Sequence, residues 1–564
     1  MIANAPELTL GHSSIKNIET LLNPNVCAMI ERCHYNKSDN TAKGKYLDTT
    51  HEKQLARTSE DAGTFDPQSI RFGTDGWRAI IGKDFTVENL ARTAEAAAKV
   101  FREDNQVQST DEPSVIYVGY DCRENAERYA ALASVILASY GFKVLLSNTY
   151  CPTPTLCWSI SRDEQAVGGL MLTSSHNPAE YLGVKLRMAD GGASPKSFSD
   201  RVEAALTSEL PFAFEQALAF AQSSGREQAA PESSNDFLVE HADLMQPYLA
   251  NLTSMVDSKA IAAANLRVVV DPMYGAGRGY LANVLKGFGV EVEEINATAD
   301  HTFAGLHPEP IHPWIKEGLD KTAELGYDAC FITDGDADRI GAGSMDGSFV
   351  NPHKILALVC ELLVEDKGER GRVIRTLSGS SLIKRQCERF GLELTTTPIG
   401  FKWIYEEMLK GDVMVGGEES GGIGIPSNVR ERDGLLMALL LTELMAKKGK
   451  DLGTLVEELL EELGHLEYAR RDLEITQEQK DAFLQNVCAA ELSAEAYQSR
   501  FDEVDEEIIE IDYRDGIKLS FASDAWLLAR PSGTEPLVRV YAEATSSEQL
   551  ERLLDIGCSL VKGE

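Results

Sequence analysis

LRVVVDPMYGAGRGYLANVL, residues 266 to 285, runs from a short apolar, β-branched strand pattern through a loop of small and polar residues into an amphipathic helix pattern. Two other stretches share that outline: SVIYVGYDCRENAERYA from Ser114 and GRVIRTLSGSSLIKRQCERF from Gly371. The weak repeat points to a duplicated α/β unit, although α/β chains in general show something similar. A Glu-rich helical stretch, LGTLVEELLEELG from Leu452 to Gly464, closes the third unit. IKLSFASDAWLLARPSGTEPLVRVYAEA, Ile517 to Ala544, reads instead as strands around a turn, which suits a smaller α+β domain. Upstream of Ser69 the chain is polar and irregular, with one short helix expected around Ile15 to Leu22. The expected division is an N-terminal extension over 1–66, α/β domains over 67–245, 246–345 and 346–464, and an α+β domain over 465–564.

The 564 residues are 43% hydrophobic and 25% charged, ordinary for a globular protein with several cores. The formal net charge of −35 disfavours nucleic-acid and anionic-membrane partners, while a small anionic substrate needs only local Arg and Lys. The ten cysteines form no C-x-x-C pair and no zinc spacing, the usage of a reducing compartment. The start, MIANAPELTLGHSSIKN, lacks a basic segment followed by an apolar core, and no apolar stretch approaches membrane-spanning length; the expected location is cytoplasmic. His51 and Glu52 begin a zinc-protease pattern that Leu55 breaks.

Five short stretches carry candidate chemistry. LTSSHNPAEYLGVKL, residues 172–186, reads alone as an ordered turn: Pro178 ends regular structure, and Ser and Asn oxygens accept from nearby backbone N–H groups. In YDACFITDGDADRIGAG, residues 327–343, an apolar strand runs into Asp334, Asp336 and Asp338 at alternate positions, which share a face in an extended segment. A divalent cation of the Mg²⁺ type would relieve their repulsion; the competing reading is a solvated acidic turn. An EF-hand is excluded, because Arg339 takes the loop-glycine position and Met345 the closing-Glu position. ARPSGTEPLVR, residues 529–539, offers guanidiniums, hydroxyls and a close-approaching backbone for a phosphate, without P-loop spacing. In MVGGEESGGIGI, residues 414–425, Glu418 and Ser420 can reach one polyol; Ser420 is not in a G-x-S-x-G elbow. IRFGTDGWRAIIG, residues 70–82, sets Arg78 after a glycine-rich bend and Trp77 in the core.

Together FGTDGWR, TSSHNP, DGDADR, GGEESGG and RPSGTEP resemble, in order, the motifs of the α-D-phosphohexomutase family, phosphoglucomutase/phosphomannomutase type, over residues 69 to 564. The resemblance implies three similar mixed α/β domains and a C-terminal α+β domain around a central cleft, each giving one loop to the site. It implies phosphate carriage by Ser175, with Asn177 and Pro178 shaping the turn, His176 beside the transferring group and Lys185 near the reacting oxygens. Asp334, Asp336 and Asp338 would hold Mg²⁺ with a Ser175 phosphate oxygen, and Arg339 would neutralise the same group. Glu418 and Ser420 would contact sugar hydroxyls, with Lys402 a neighbouring contact; Arg530, Ser532, Gly533, Thr534 and Arg539, with Arg78, would grip the unreactive phosphate. Two positions depart from the pattern: Leu182 stands where Asn is usual, and Gly422 where some relatives have His.

The expected activity is interconversion of glucose 1-phosphate and glucose 6-phosphate through glucose 1,6-bisphosphate, by a monomer or homodimer. A phosphomannomutase or dual enzyme is the alternative within the family. A non-catalytic sugar-phosphate sensor and a phosphatase are alternatives outside it. Lys185 and His176 are both candidate general bases.

Overall fold

In the computed structural model the run at Ser114 becomes the strand Val115–Tyr120 and the helix Ala126–Ser139. The run at Leu266 becomes Arg267–Asp271 and Tyr280–Gly287, and the run at Gly371 becomes Arg372–Thr376 and Ser381–Phe390. The structure describes residues 66–105, 113–224, 238–501, 504, 506–532 and 537–563. The N-terminal arm up to residue 65, with the helix expected around Ile15 to Leu22, lies outside the described residues, as do Gly533 and Thr534.

Each of the three strands lies inside its own mixed sheet. The first sheet runs Phe72–Gly73, Gly76–Ile80, Tyr181–Met188, Ala166–Leu172, Val115–Tyr120, Lys143–Ser147, Val239–Ala242. Every residue of Val115–Tyr120 is buried, as expected of a β-branched and aromatic strand covered on both faces. The second sheet runs Phe349–Val350, Ile340–Gly343, Ala329–Thr333, Arg267–Asp271, Glu291–Glu294. The expected border at residue 345 is therefore crossed by pairing of Phe349–Val350 with Ile340–Gly343. The third sheet runs Leu394–Thr397, Arg372–Thr376, Val413–Gly417, Ile423–Gly424.

One feature recurs in all three. A strand parallel to the central one turns back into an antiparallel partner: Ala166–Leu172 into Tyr181–Met188, Ala329–Thr333 into Ile340–Gly343, Val413–Gly417 into Ile423–Gly424. The connecting loops, 173–180, 334–339 and 418–422, thus leave the carboxyl ends of parallel strands, where α/β sheets bind ligands.

The three units share a core. Val115, Leu156, Val268, Phe331, Leu356, Val373 and Val415 belong to one buried cluster that includes the helix Gly434–Lys448. That helix is apolar nearly all round and buried from Gly434 to Met445; Asp433 caps it by accepting from Leu436 N–H at 2.9 Å. The C-terminal unit is different. Its antiparallel sheet, ordered Glu467–Glu474, Leu537–Ala544, Trp526–Pro531, Ile517–Phe521, Ile508–Asp512, packs with the helix Ser547–Lys562 around a separate core. It meets the third unit through Leu377, Trp526, Leu528 and Tyr541, and through Ser381 N–H donating to Glu543 Oε2 at 2.7 Å.

The eight described cysteines are unpaired, and among the described residues no helix is long and apolar enough to cross a membrane. Separate cores predict separate unfolding. Leu519→Ala, at a fully buried position of the C-terminal core, should destabilise that unit by about 2–5 kcal/mol and leave the shared-core transition in place. Scanning calorimetry checks this; displacement of one common transition would contradict it.

Candidate active site

The Ser175 loop is held from behind. Ser175 N–H donates to Thr173 Oγ1 at 2.8 Å, and Thr173 Oγ1 donates to Asp121 Oδ2 at 2.6 Å. Arg123, paired with Asp121, donates to four carbonyls of the loop: Ser175 at 2.7 Å, Asn177 at 2.6 Å, Pro178 at 2.6 Å and Tyr181 at 2.9 Å. Ser175 itself is 1% exposed and sits at φ +50°, a left-handed conformation that a serine keeps only when its surroundings impose it. Arg78 Nη1 donates to Asn177 Oδ1 at 2.7 Å from the neighbouring strand.

The aspartate loop faces it. Ser175 Oγ donates to Asp334 Oδ2 at 3.0 Å. The aspartates converge, but not along an extended segment as expected: residues 335–338 form a turn with Ala337 at φ +55°. A turn is required because the chain reverses into Ile340–Gly343. Asp334, Asp336 and Asp338 are fully buried, with one carboxylate oxygen from each within 4.8 Å of the others. Burial, then Asp338 and Asp336, push the Asp334 carboxyl well above its ordinary range. Asp336 Oδ1 and Asp338 Oδ1 are buried with no hydrogen-bond partner. Hard oxygens, mutually repelling and partly orphaned, fit a divalent cation. Gly335 lets the two loops meet, since a Cβ there would lie 2.4 Å from Ser175 O.

The surrounding cations neutralise the outer oxygens. Lys185 Nζ, 1% exposed, lies 2.7 Å from Asp336 Oδ2, 2.9 Å from Asp338 Oδ2 and 3.0 Å from Asp75 Oδ2. Burial disfavours its charge, but Asp336, Asp338 and Asp75 outweigh burial and hold the ammonium above its usual range. His176 Nδ1 is 3.4 Å from Ser175 Oγ; burial, then Arg339 and Arg78, hold this imidazole well below its ordinary range. Arg339 gives its backbone N–H to Asp334 Oδ1 at 3.1 Å and its guanidinium to Glu309 Oε1 at 3.2 Å.

The third loop docks on the second: Ile340 N–H donates to Gly421 O at 3.0 Å, and Arg339 bridges Gly422. Glu418 is 7% exposed, and burial pushes its carboxyl up to about 7 against the pull of Arg432. Ser420 is half-buried in the same loop, and Lys402 Nζ lies 4.7 Å from the centre of the Trp403 ring. On the C-terminal sheet, Arg530 pairs with Asp515 at 2.9 Å, Arg539 with Asp472 at 3.7 Å, and Ser532 is buried. Leu182, in place of the usual Asn, is fully buried in the core of the first unit.

Sequence reasoning missed the supporting charges. Asp75 lay inside a quoted motif without a role. Arg432 Nη2 reaches Asp75 Oδ2 at 2.8 Å and Asp338 Oδ2 at 2.7 Å, and Arg187 pairs with Asp75 and Glu431, both at 3.0 Å. The available signal was a crowd of charges, Arg430 to Asp433, directly before a long apolar run. Thr153 Oγ1, donating to Asp336 Oδ2 at 2.5 Å, gave none.

Family models described as phosphoglucomutase/phosphomannomutase match in order: alpha/beta/alpha domain I over residues 69–211, domain II over 246–347, domain III over 351–463, and the C-terminal domain over 476–556. A phosphoglucomutase/phosphomannomutase of Thermococcus kodakarensis is 29% identical over 491 residues, 87% of this chain and 98% of the relative. A phosphoglucosamine mutase of Carboxydothermus hydrogenoformans is 27% identical over 488 residues, 86% of this chain and 97% of the relative. The crystal structure of a Thermus thermophilus protein, provisionally named phosphomannomutase, superposes with a TM-score of 0.71 at 34% identity, covering 88% of this chain and 99% of that one. With all four domains matched in order, the chain belongs to the phosphoglucomutase/phosphomannomutase family of phosphohexomutases and is a mutase, an isomerase-class phosphotransferase.

Proposed function

We propose that the enzyme interconverts glucose 1-phosphate and glucose 6-phosphate, with Ser175 as phosphoryl carrier and glucose 1,6-bisphosphate as intermediate. The observation that carries this reading is Ser175 Oγ, 3.0 Å from Asp334 Oδ2 in a buried cluster with Lys185. A serine hydroxyl is a weak nucleophile, but a phosphoserine is a donor that needs only orientation and charge neutralisation. Asp334, Asp336 and Asp338, with a phosphate oxygen on Ser175, would hold Mg²⁺, which when bound withdraws charge from the phosphoryl group.

The chain's own groups do the rest. Arg123 fixes the backbone of the Ser175 loop and so the direction of Oγ. In the forward step the Ser175 O–P bond breaks, a bond from phosphorus to the sugar oxygen forms, and the sugar's hydroxyl proton passes by way of a base to the Ser175 oxygen, which leaves as the free hydroxyl. Lys185, 2.7 Å from Asp336 Oδ2 and 2.9 Å from Asp338 Oδ2, and His176, with Nδ1 3.4 Å from Ser175 Oγ, are the two groups placed to take that proton. Arg339 adds a fixed positive charge. After the bisphosphate turns over, its other phosphate returns to Ser175. Arg530, Ser532, Gly533, Thr534 and Arg539, with Arg78, hold the phosphate that is not reacting, and Glu418, Ser420 and Lys402 read the hydroxyls in either orientation.

The glucose assignment rests on the Glu418-Glu419-Ser420 loop, similar to that of phosphoglucomutases. Phosphomannomutase or dual activity is the second reading, favoured by the mixed names of the relatives. Initial rates with Mg²⁺ and a trace of glucose 1,6-bisphosphate, on the 1-phosphates of glucose, mannose and glucosamine, decide between them. The expected result is preference for glucose 1-phosphate without release of inorganic phosphate; comparable mannose rates would make the enzyme dual, and phosphate release would make it a phosphatase.

Ser175→Ala should lower turnover by about 10³-fold or more and remove the phosphoryl group from the intact-protein mass; near-normal activity would end the phosphoserine reading. Arg530→Ala should raise KM about tenfold or more while changing stability by about 1 kcal/mol or less, because its pair with Asp515 is partly exposed. An unchanged KM with normal folding would exclude Arg530 from the phosphate grip.

A further inference from the structure

Arg432 stands immediately before Asp433, the cap of the buried helix Gly434–Lys448, so its backbone is anchored in the core shared by three units. Its side chain then passes between the loops of all three. Nη2 lies 2.8 Å from Asp75 Oδ2 and 2.7 Å from Asp338 Oδ2, Nη1 lies 3.7 Å from Glu418 Oε2, and Nε lies 3.1 Å from Glu431 Oε1. Phe401 covers the guanidinium, its ring centre 5.3 Å from Cζ. The methylenes occupy the space above Gly422: a Cβ at residue 422 would lie 2.2 Å from Arg432 Cδ. Gly422, having no side chain, leaves that space to the arginine.

We infer that Arg432 is a positioning residue that holds the sugar-reading carboxylate Glu418 and the cation-site carboxylate Asp338 in a common frame. It does so at the expense of cation affinity, and Gly422 exists to accommodate it. The inference builds on the proposed mutase reaction. The guanidinium is planar and permanently charged, so it can meet carboxylates from separate loops in a fixed geometry that a lysine ammonium cannot reproduce. The same positive charge opposes a divalent cation at the aspartates.

These two effects have opposite signs. Arg432→Ala should lower kcat/KM about a hundredfold yet bind Mn²⁺ alone, followed by electron paramagnetic resonance, about tenfold more tightly. A residue that merely stabilises the fold would weaken both. Arg432→Lys should restore the wild-type Mn²⁺ affinity and recover only part of the activity. Gly422→Ala should by itself reproduce most of the activity loss, and add little on top of Arg432→Ala.

Unchanged or weaker Mn²⁺ binding by Arg432→Ala, with normal circular dichroism and melting, would overturn the inference. So would a fully active Gly422→Ala enzyme. If Arg432→Ala does not fold, Arg432→Gln, which keeps most of the side-chain volume and removes the charge, carries the Mn²⁺ comparison with the same expected tightening, and Gly422→Ala carries the activity comparison. If the wild type turns over no hexose phosphate, the proposed reaction fails, while the Mn²⁺ comparison still decides what Arg432 does.

Discussion

The structure depends on the burial of Lys185 among Asp75, Asp336 and Asp338. An isolated ammonium with 1% exposure would be neutral or would not be buried, and the carboxylates around it would lose their shared buried partner. Each partner arrives from a different segment: Asp75 from the first hairpin, Lys185 from the strand Tyr181–Met188, and the other two aspartates from the second unit. The pairs therefore join the first two units as well as organise the site. Breaking such a buried pair by removing one partner typically costs about 3–5 kcal/mol, so site chemistry and assembly of the units share the same atoms.

Backbone conformation at the site follows from that closeness. Ser175 and Ala337 both adopt positive φ, and Gly335 stands where any side chain would strike Ser175 O. Non-glycine residues in this region cost about 1–3 kcal/mol each. The four carbonyl bonds from Arg123 offset part of that cost and hold the strained loop in one shape. In the proposed reaction, a serine pre-set by its backbone would need little reorganisation as a phosphoryl group moves to or from it.

What was legible in the sequence follows the range of the forces involved. The strands at Val115, Arg267 and Arg372 were readable because β-branched runs and small-residue loops are local signals. The aspartate convergence was readable in outcome but not in geometry: alternation suggested an extended face, whereas reversal into Ile340–Gly343 imposed a turn. Arg123 and Arg187 left no local mark, since the loop carbonyls and carboxylates they hold across the fold lie 52 or more residues away, and Arg432 left only a crowd of charges before an apolar run, its bond to Asp75 spanning 357 residues. The strand Phe349–Val350 crossed an expected border because two residues are too few to declare their sheet.

The division of cores bears on the proposed reaction. Phosphoryl transfer tolerates little misplacement of the reacting atoms, and the Ser175, aspartate and Glu418 loops all stand on units that share one apolar core around Gly434–Lys448. Reorienting a bisphosphate makes the opposite demand, for a part that yields. The C-terminal sheet has its own core and meets the third unit through the cluster around Leu377 and Trp526 and through polar contacts such as Ser381 with Glu543 and Lys384 with Asp524, so a shift costs those contacts but leaves both main interiors closed. Arg530 and Arg539 stand on that sheet, each charge held meanwhile by an aspartate of the same unit. In the proposed reaction, the part of the phosphate grip carried by Arg530 and Arg539, on the unit that takes no part in the shared core, would follow its ligand through a turn, while the groups held by Lys185 and Arg123 stay in place.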